Sequence, residues 1–145
     1  MKRNKFKFNG RRPIILGFFL LFIFSSCKKK NIESNIQGTW NVLTFVDGGD
    51  DLVDVWDPIV ISFTNLNDGA GNSSFSSPEI SPSTLNGTFS LDSNYESINL
   101  VYIFDGLTWT INGNFNVTET SLSINGSSKY SNESTSNSLV VTASK

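Results

Sequence analysis

Ile98-Asn99-Leu100-Val101-Tyr102-Ile103-Phe104, then Asp105-Gly106, then Leu107-Thr108-Trp109-Thr110-Ile111, decides the fold class of this chain. Two β-branched and aromatic runs flank a two-residue pair that tolerates positive φ, the chemistry of a type I′ turn joining antiparallel strands. Leu107, Trp109 and Ile111 alternate onto one face. Ile98 to Phe104 is apolar on both faces, which predicts a central strand. Asn112-Gly113 follows and predicts a second turn before Asn114-Phe115-Asn116-Val117-Thr118. Asn125-Gly126, after Leu122-Ser123-Ile124, predicts a third, and Ser138 to Thr142 makes the last strand.

Upstream the pattern is the same. Trp40 to Val46 and Ile59 to Phe63 are strand-like, the second preceded by Pro58, and Thr88 to Leu91 follows Asn86-Gly87. Thr64 to Ser83 is rich in Ser, Asn, Gly and Pro, with Leu66, Phe75 and Ile80 as its large apolar residues. A structureless loop that long is unusual in a small domain. The segment therefore holds a short strand at Ser74–Ser76 or forms a flap over a barrel mouth. No helical periodicity with caps is evident after Cys27. Hairpin after hairpin without a crossover helix predicts an all-β fold, an antiparallel meander of about eight strands. Such a sheet curls and closes into a small barrel, removing its edges. The domain is expected over residues 36–145.

The amino-terminal region has a different character. Lys2, Arg3, Lys5, Lys7, Arg11 and Arg12 are followed by the apolar run Ile14 to Phe24, broken only by Gly17, and then by Ser25-Ser26-Cys27. A basic segment, a short apolar core and small residues are the order of a cleaved export signal. The apolar run is too short for a membrane-spanning helix, which takes roughly 20 residues. Ending on a cysteine, the segment resembles a bacterial lipoprotein signal with its lipobox. That resemblance implies that residues 1–26 are removed and that Cys27 is acylated. Residues 27–35 would then be a lipidated tether holding the domain to the membrane in the cell envelope, at the outer membrane. Lys28, Lys29 and Lys30 would either touch anionic headgroups, worth about 1 kcal/mol each, or simply solubilise the linker.

Charge narrows the partners. From Cys27 onward five basic residues face all thirteen acids, a formal charge near −8. Nucleic-acid binding needs a basic face and is excluded. Cys27 is the one cysteine of the sequence, so no intrachain disulfide forms. Stability must come from a core built on Trp40, Trp56, Trp109, three tyrosines and six phenylalanines.

The sequence contains no histidine, which removes the usual general base and the commonest neutral metal ligand. With Cys27 committed to the anchor, Ser-His and Cys-His nucleophiles and His/Cys metal sites are unavailable. Asp47, Asp50, Asp51, Asp54 and Asp57 crowd one connection and invite a calcium reading. An EF-hand register from Asp47 fails, because Leu52 falls where glycine is required and Pro58 where the bidentate glutamate belongs. Nor does the spacing of Asp92, Glu96 and Asp105 single out a glycosidase pair. No enzyme activity, cofactor or metal is expected.

Gly38-Thr39-Trp40, opening the first strand, resembles the Gly-x-Trp signature of lipocalins, and most closely the short lipocalin-like domains of bacterial lipoproteins. Phe115 to Thr118, Leu122 to Ile124 and Leu139 to Val141 fit the same family. The resemblance implies that Gly38 lets the chain turn in, that Trp40 plugs the closed end of the barrel, and that the mouth binds a small apolar ligand. Two family features are missing: no arginine follows Arg12, leaving Lys145 or Lys129 as an imperfect partner for Trp40, and there is no Thr-Asp-Tyr motif. The alternative is a β-sandwich interaction module binding glycan or a partner protein through its Ser/Asn-rich loops. Exposed aromatics on one face would favour that module. Oligomeric state is not legible.

Overall fold

The computed structural model describes residues 28–145; the expected signal and Cys27 lie outside the described residues. Among the described residues, Ile32–Lys145 forms one compact unit. Residues 28–36 are helical (α1), where the sequence shows no helical pattern. Ile32 and Ile36, four residues apart, lie on one helical face, and both pack on the core. One such pair is too short a repeat to read as periodicity in sequence. A second helix, α2, is the single turn Val53–Trp56, where Asp51 Oδ1 accepts the backbone N–H of Val53 at 3.1 Å.

From Gly38 the chain is a barrel. Its strands are β1 (Gly38–Asp47), β2 (Asp50–Asp51), β3 (Val60–Asn67), β4 (Ala70–Ser76), β5 (Thr84–Leu91), β6 (Ser97–Phe104), β7 (Leu107–Val117), β8 (Ser121–Tyr130) and β9 (Asn137–Ser144). From β3 to β9 each strand pairs antiparallel with the next, and β1 pairs with both β3 and β9. Eight strands therefore close on themselves, with the two-residue β2 added against the end of β1. Closure overturns the β-sandwich alternative.

β1 serves its neighbours in turn. Gly38 to Asn41 pair with β3, and Asn41 to Asp47 pair with β9 across a bulge between Val42 and Thr44. The interior is a continuous apolar core that includes Trp40, Phe45, Phe63, Phe75, Phe89, Tyr102 and Trp109. Rings meet edge-on, as Phe63 and Phe89 do at 5.0 Å. In β6 Ile98, Leu100 and Tyr102 point inward, while Ile103 is 68% exposed on the wall. That strand is thus buried on one face only; a closed barrel has no doubly covered strand.

The turns correct the sequence reading. Asp105-Gly106 is a turn, with φ of 48° and 76°, and Asp68-Gly69 is another, at 48° and 80°. Asn86-Gly87, Asn112-Gly113 and Asn125-Gly126 instead lie inside β5, β7 and β8. Gly113 and Gly126 are direct cross-strand partners. A Cβ on Gly126 would fall 2.0 Å from Asn112 O and 2.4 Å from Gly113 Cα. The two backbones cross too closely for any side chain, as at the bent corners of small barrels. Thr64 to Ser83 is no flap: Ala70 to Ser76 pair residue by residue with β5, a longer strand than Ser74–Ser76.

Candidate functional site

The two ends of the barrel are built differently. At one end, the carboxyl turn of α1 presents backbone carbonyls that no helical N–H can reach. Trp40 Nε1 donates to Ile36 O at 2.8 Å, Lys145 Nζ to Asn35 O at 2.6 Å, and Gln37 Nε2 to Glu33 O at 3.1 Å. Tyr95 Oη, from the β5–β6 connection, donates to Glu33 Oε1 at 2.8 Å. Gly38 has φ +118°, a conformation L side chains rarely adopt, and it turns the chain from helix into strand. Trp40 is fully buried beneath this seal, with Lys145 Nζ 4.5 Å from its ring centroid.

The opposite end is covered by α2 and by the β4–β5 connection, from which Ile80 packs on the core. None of the four α2 residues is buried, and Val55 is 62% exposed. Trp56 lies 6.3 Å from Phe45 and 6.2 Å from Phe75 between ring centroids. Behind those rings, Trp109 is 6.0 Å from Phe45 and 5.3 Å from Phe75. Tyr130 stacks on Trp109 at 5.7 Å, with 10° between the planes. The lid is held by few bonds: Ser77 Oγ donates to Trp56 O at 2.6 Å, and Leu52 N donates to Phe45 O at 2.8 Å.

Electrostatics single out the same end. Asp47, half-buried, accepts from Ser128 Oγ at 2.7 Å. Burial pushes the Tyr130 hydroxyl above its ordinary range, and the negative charges of Asp47 and Glu133 add to the shift. Asp50, Asp51, Asp54 and Asp57 line the connection that carries the lid and are exposed. Among the described residues no three His, Cys, Asp or Glu side chains converge as metal ligands. Asp92 serves the backbone: its Oδ1 accepts from Glu96 N at 2.7 Å and Ser97 N at 2.8 Å, bonds that hold its carboxyl below the usual range.

Among the described residues, the outer wall carries shallow grooves lined by polar side chains. One of about 470 Å³ is bordered by Asn99, Asn112, Asn114 and Asn125. Others of about 360 and 280 Å³ are lined mainly by Ser, Thr and Asn. The exposed large hydrophobic residues are Leu43, Val55, Ile103 and Val140, all aliphatic. No helix among the described residues is long and apolar enough to cross a membrane.

Fold and site thus define a small antiparallel β-barrel sealed at one end and lidded at the other. The chain is similar to a solved structure of a redesigned β-barrel, with a TM-score of 0.54 and 12% identity over 79% of this chain and 95% of that one. At that identity the likeness is one of fold. No protein-family model matches, and no curated protein matches.

Sequence reasoning placed Gly38 and Trp40 at the start of the barrel but missed α2 and the aromatic floor beneath it. The signal was present in Leu52-Val53-Asp54-Val55-Trp56, an apolar stretch inside an otherwise acidic connection. Its five aspartates drew attention away from it.

Proposed function

We propose that this chain is an exported lipoprotein, anchored through Cys27, whose lipocalin-like barrel takes up a small apolar ligand at the mouth under α2. The anchor rests on the order of basic segment, apolar run and Ser25-Ser26-Cys27. The ligand reading rests on one observation, the contrast between the two ends. One is stitched shut by side-chain bonds, whereas the other is closed by a single helical turn, whose half-buried Trp56 covers an aromatic floor, and by Ile80 of the β4–β5 connection. Ligand pockets are concave, mostly apolar and served by few polar groups. Because large side chains fill most of the interior, the body of the ligand lies between lid and floor, entering as Trp56 moves aside.

The test is titration of the full-length chain, in mild detergent, with the neutral probe N-phenyl-1-naphthylamine. Saturable, blue-shifted emission that Trp56→Ala changes at least severalfold in affinity is the expected result. Emission that rises linearly with probe, as in detergent alone, overturns the reading.

A further inference from the structure

Three polar atoms in the barrel interior have no hydrogen-bond partner: Ser73 Oγ, Tyr102 Oη and Trp109 Nε1. Their residues are 4%, 0% and 2% exposed. Burying an unpaired hydroxyl or indole N–H is unfavourable, and native proteins leave few such groups. These three are not scattered. Ser73 pairs across the sheet with Gly87, Gly87 with Tyr102, Tyr102 with Trp109, and Trp109 with Tyr130. They form one row running from β4 to β8. At Gly87 a Cβ would fall 2.7 Å from Tyr102 Cδ1, so the Tyr102 ring lies across β5 toward β4. Burial pushes the Tyr102 hydroxyl well above its ordinary range; the nearby Ser73 hydroxyl works against that shift, but the pair does not meet hydrogen-bond geometry. On the other side the Tyr102 and Trp109 rings are 5.6 Å apart. Phe75, under the lid, touches both rings, at 6.1 and 5.3 Å.

We propose that the row Ser73, Tyr102 and Trp109 is the polar end of the ligand site, reading a neutral hydrogen-bond acceptor of carbonyl type on a small apolar molecule. This inference rests on the ligand reading above. The chemistry follows from the inventory of donors. An indole N–H can only donate, whereas the two hydroxyls can donate or accept. The occupant must therefore accept, which excludes an ammonium group. A carboxylate would have to pass Asp47, Asp50, Asp51, Asp54 and Asp57 and then lose its hydration in an aromatic core. A neutral carbonyl oxygen satisfies the donors without a buried charge, and its apolar body lies against Phe45, Phe75 and Trp56. Trp40, by contrast, already has its indole bond satisfied by Ile36 O.

The experiment compares acetophenone with α-methylstyrene, in which a methylene replaces the carbonyl oxygen at nearly the same shape. Both are titrated into full-length ¹⁵N-labelled chain in mild detergent, following the indole N–H signals. Two net hydrogen bonds should favour the ketone by about tenfold. The ketone should also move the Trp109 indole signal, assigned by Trp109→Phe, downfield. Tyr102→Phe and Ser73→Ala remove unpaired hydroxyls without adding volume, so both variants should fold, and each should shrink the ketone preference. Equal affinity for the two compounds overturns the proposal and leaves the apolar-ligand reading standing. So does a Trp109 N–H that instead shows transfer to a long-lived buried water, unchanged by either compound. If neither compound nor the naphthylamine probe binds, both readings fall together.

Discussion

Lys145 Nζ sits 4.5 Å from the centroid of the Trp40 ring while donating to Asn35 O at 2.6 Å. One ammonium thus joins the first strand, the last residue after β9 and the end of α1. A lysine has no planar fork to lay on the indole, but as a point charge it faces the ring and also meets the negative end of the helix.

Replacing Lys145 with Met keeps the stem and removes both electrostatic contacts. The expected loss is about 1 kcal/mol, because the group is exposed and partly screened. Lys145→Arg should retain most of it. Urea denaturation of the two variants at low and high salt checks this, and the Met penalty should shrink as salt rises.

Trp40 carries far more. Removing a buried Trp side chain typically costs about 3–5 kcal/mol, a large share of the stability of a domain this size. Trp40→Ala should unfold the domain or lower its denaturation midpoint steeply. A midpoint within error of wild type would show that the ring does not hold the sealed end.

The paired glycines make a sharper prediction. Gly126→Ala puts a methyl 2.0 Å from Asn112 O, so the backbone must move, and overpacking of this kind costs about 1–3 kcal/mol or more. Gly106, in the β6–β7 turn, has open space around it and suffers only from its φ of +76°. Gly106→Ala should therefore cost about 1 kcal/mol. Thermal melts of the two variants should rank them in that order.

The domain should fold without calcium. The acids between Asp47 and Asp57 do not converge on one point, and repulsion between exposed charges is only about 1 kcal/mol at 4 Å in water. Melts in chelator and in millimolar calcium, at matched ionic strength, should coincide. A midpoint raised many degrees by calcium alone would make the acidic connection a binding site.

Cys27→Ser should abolish lipid attachment. In a bacterial host the variant should leave the membrane fraction or stall before cleavage. Mass spectrometry of the wild-type amino terminus should find acyl chains on Cys27. Normal membrane retention of the variant, correctly cut at the same position, would sink the anchor.

Much of the barrel was legible because inward residues alternate along most strands, and the Asn-Gly pairs at 112–113 and 125–126, where turn chemistry misled, show how far parity can be trusted. In β7, Leu107, Trp109, Ile111, Phe115 and Val117 all fall on odd positions, with Gly113 between them. A two-residue turn at Asn112-Gly113 would have placed Ile111 opposite Asn114 and broken that parity. Leu122, Ile124, Gly126 and Ser128 keep it in β8 as well. Unbroken parity through an Asn-Gly pair marks a bend in one strand rather than the end of it. The aromatic floor and the orphan row were not legible. Each depends on which strands become neighbours across the barrel, and local pattern does not encode that.

The closing seam between β1 and β9 joins residues roughly a hundred positions apart, such as Asp47 and Leu139. Every other strand can dock on a partner just made, but β1 meets β3 only through Gly38 to Asn41, and its remainder must wait for β9. Until then β1 and β8 each expose a row of unpaired backbone groups, templates for another chain. Such long-range pairing is slow, on the order of milliseconds to seconds in β-rich domains. The seam therefore acts as a clasp that keeps the emerging chain open.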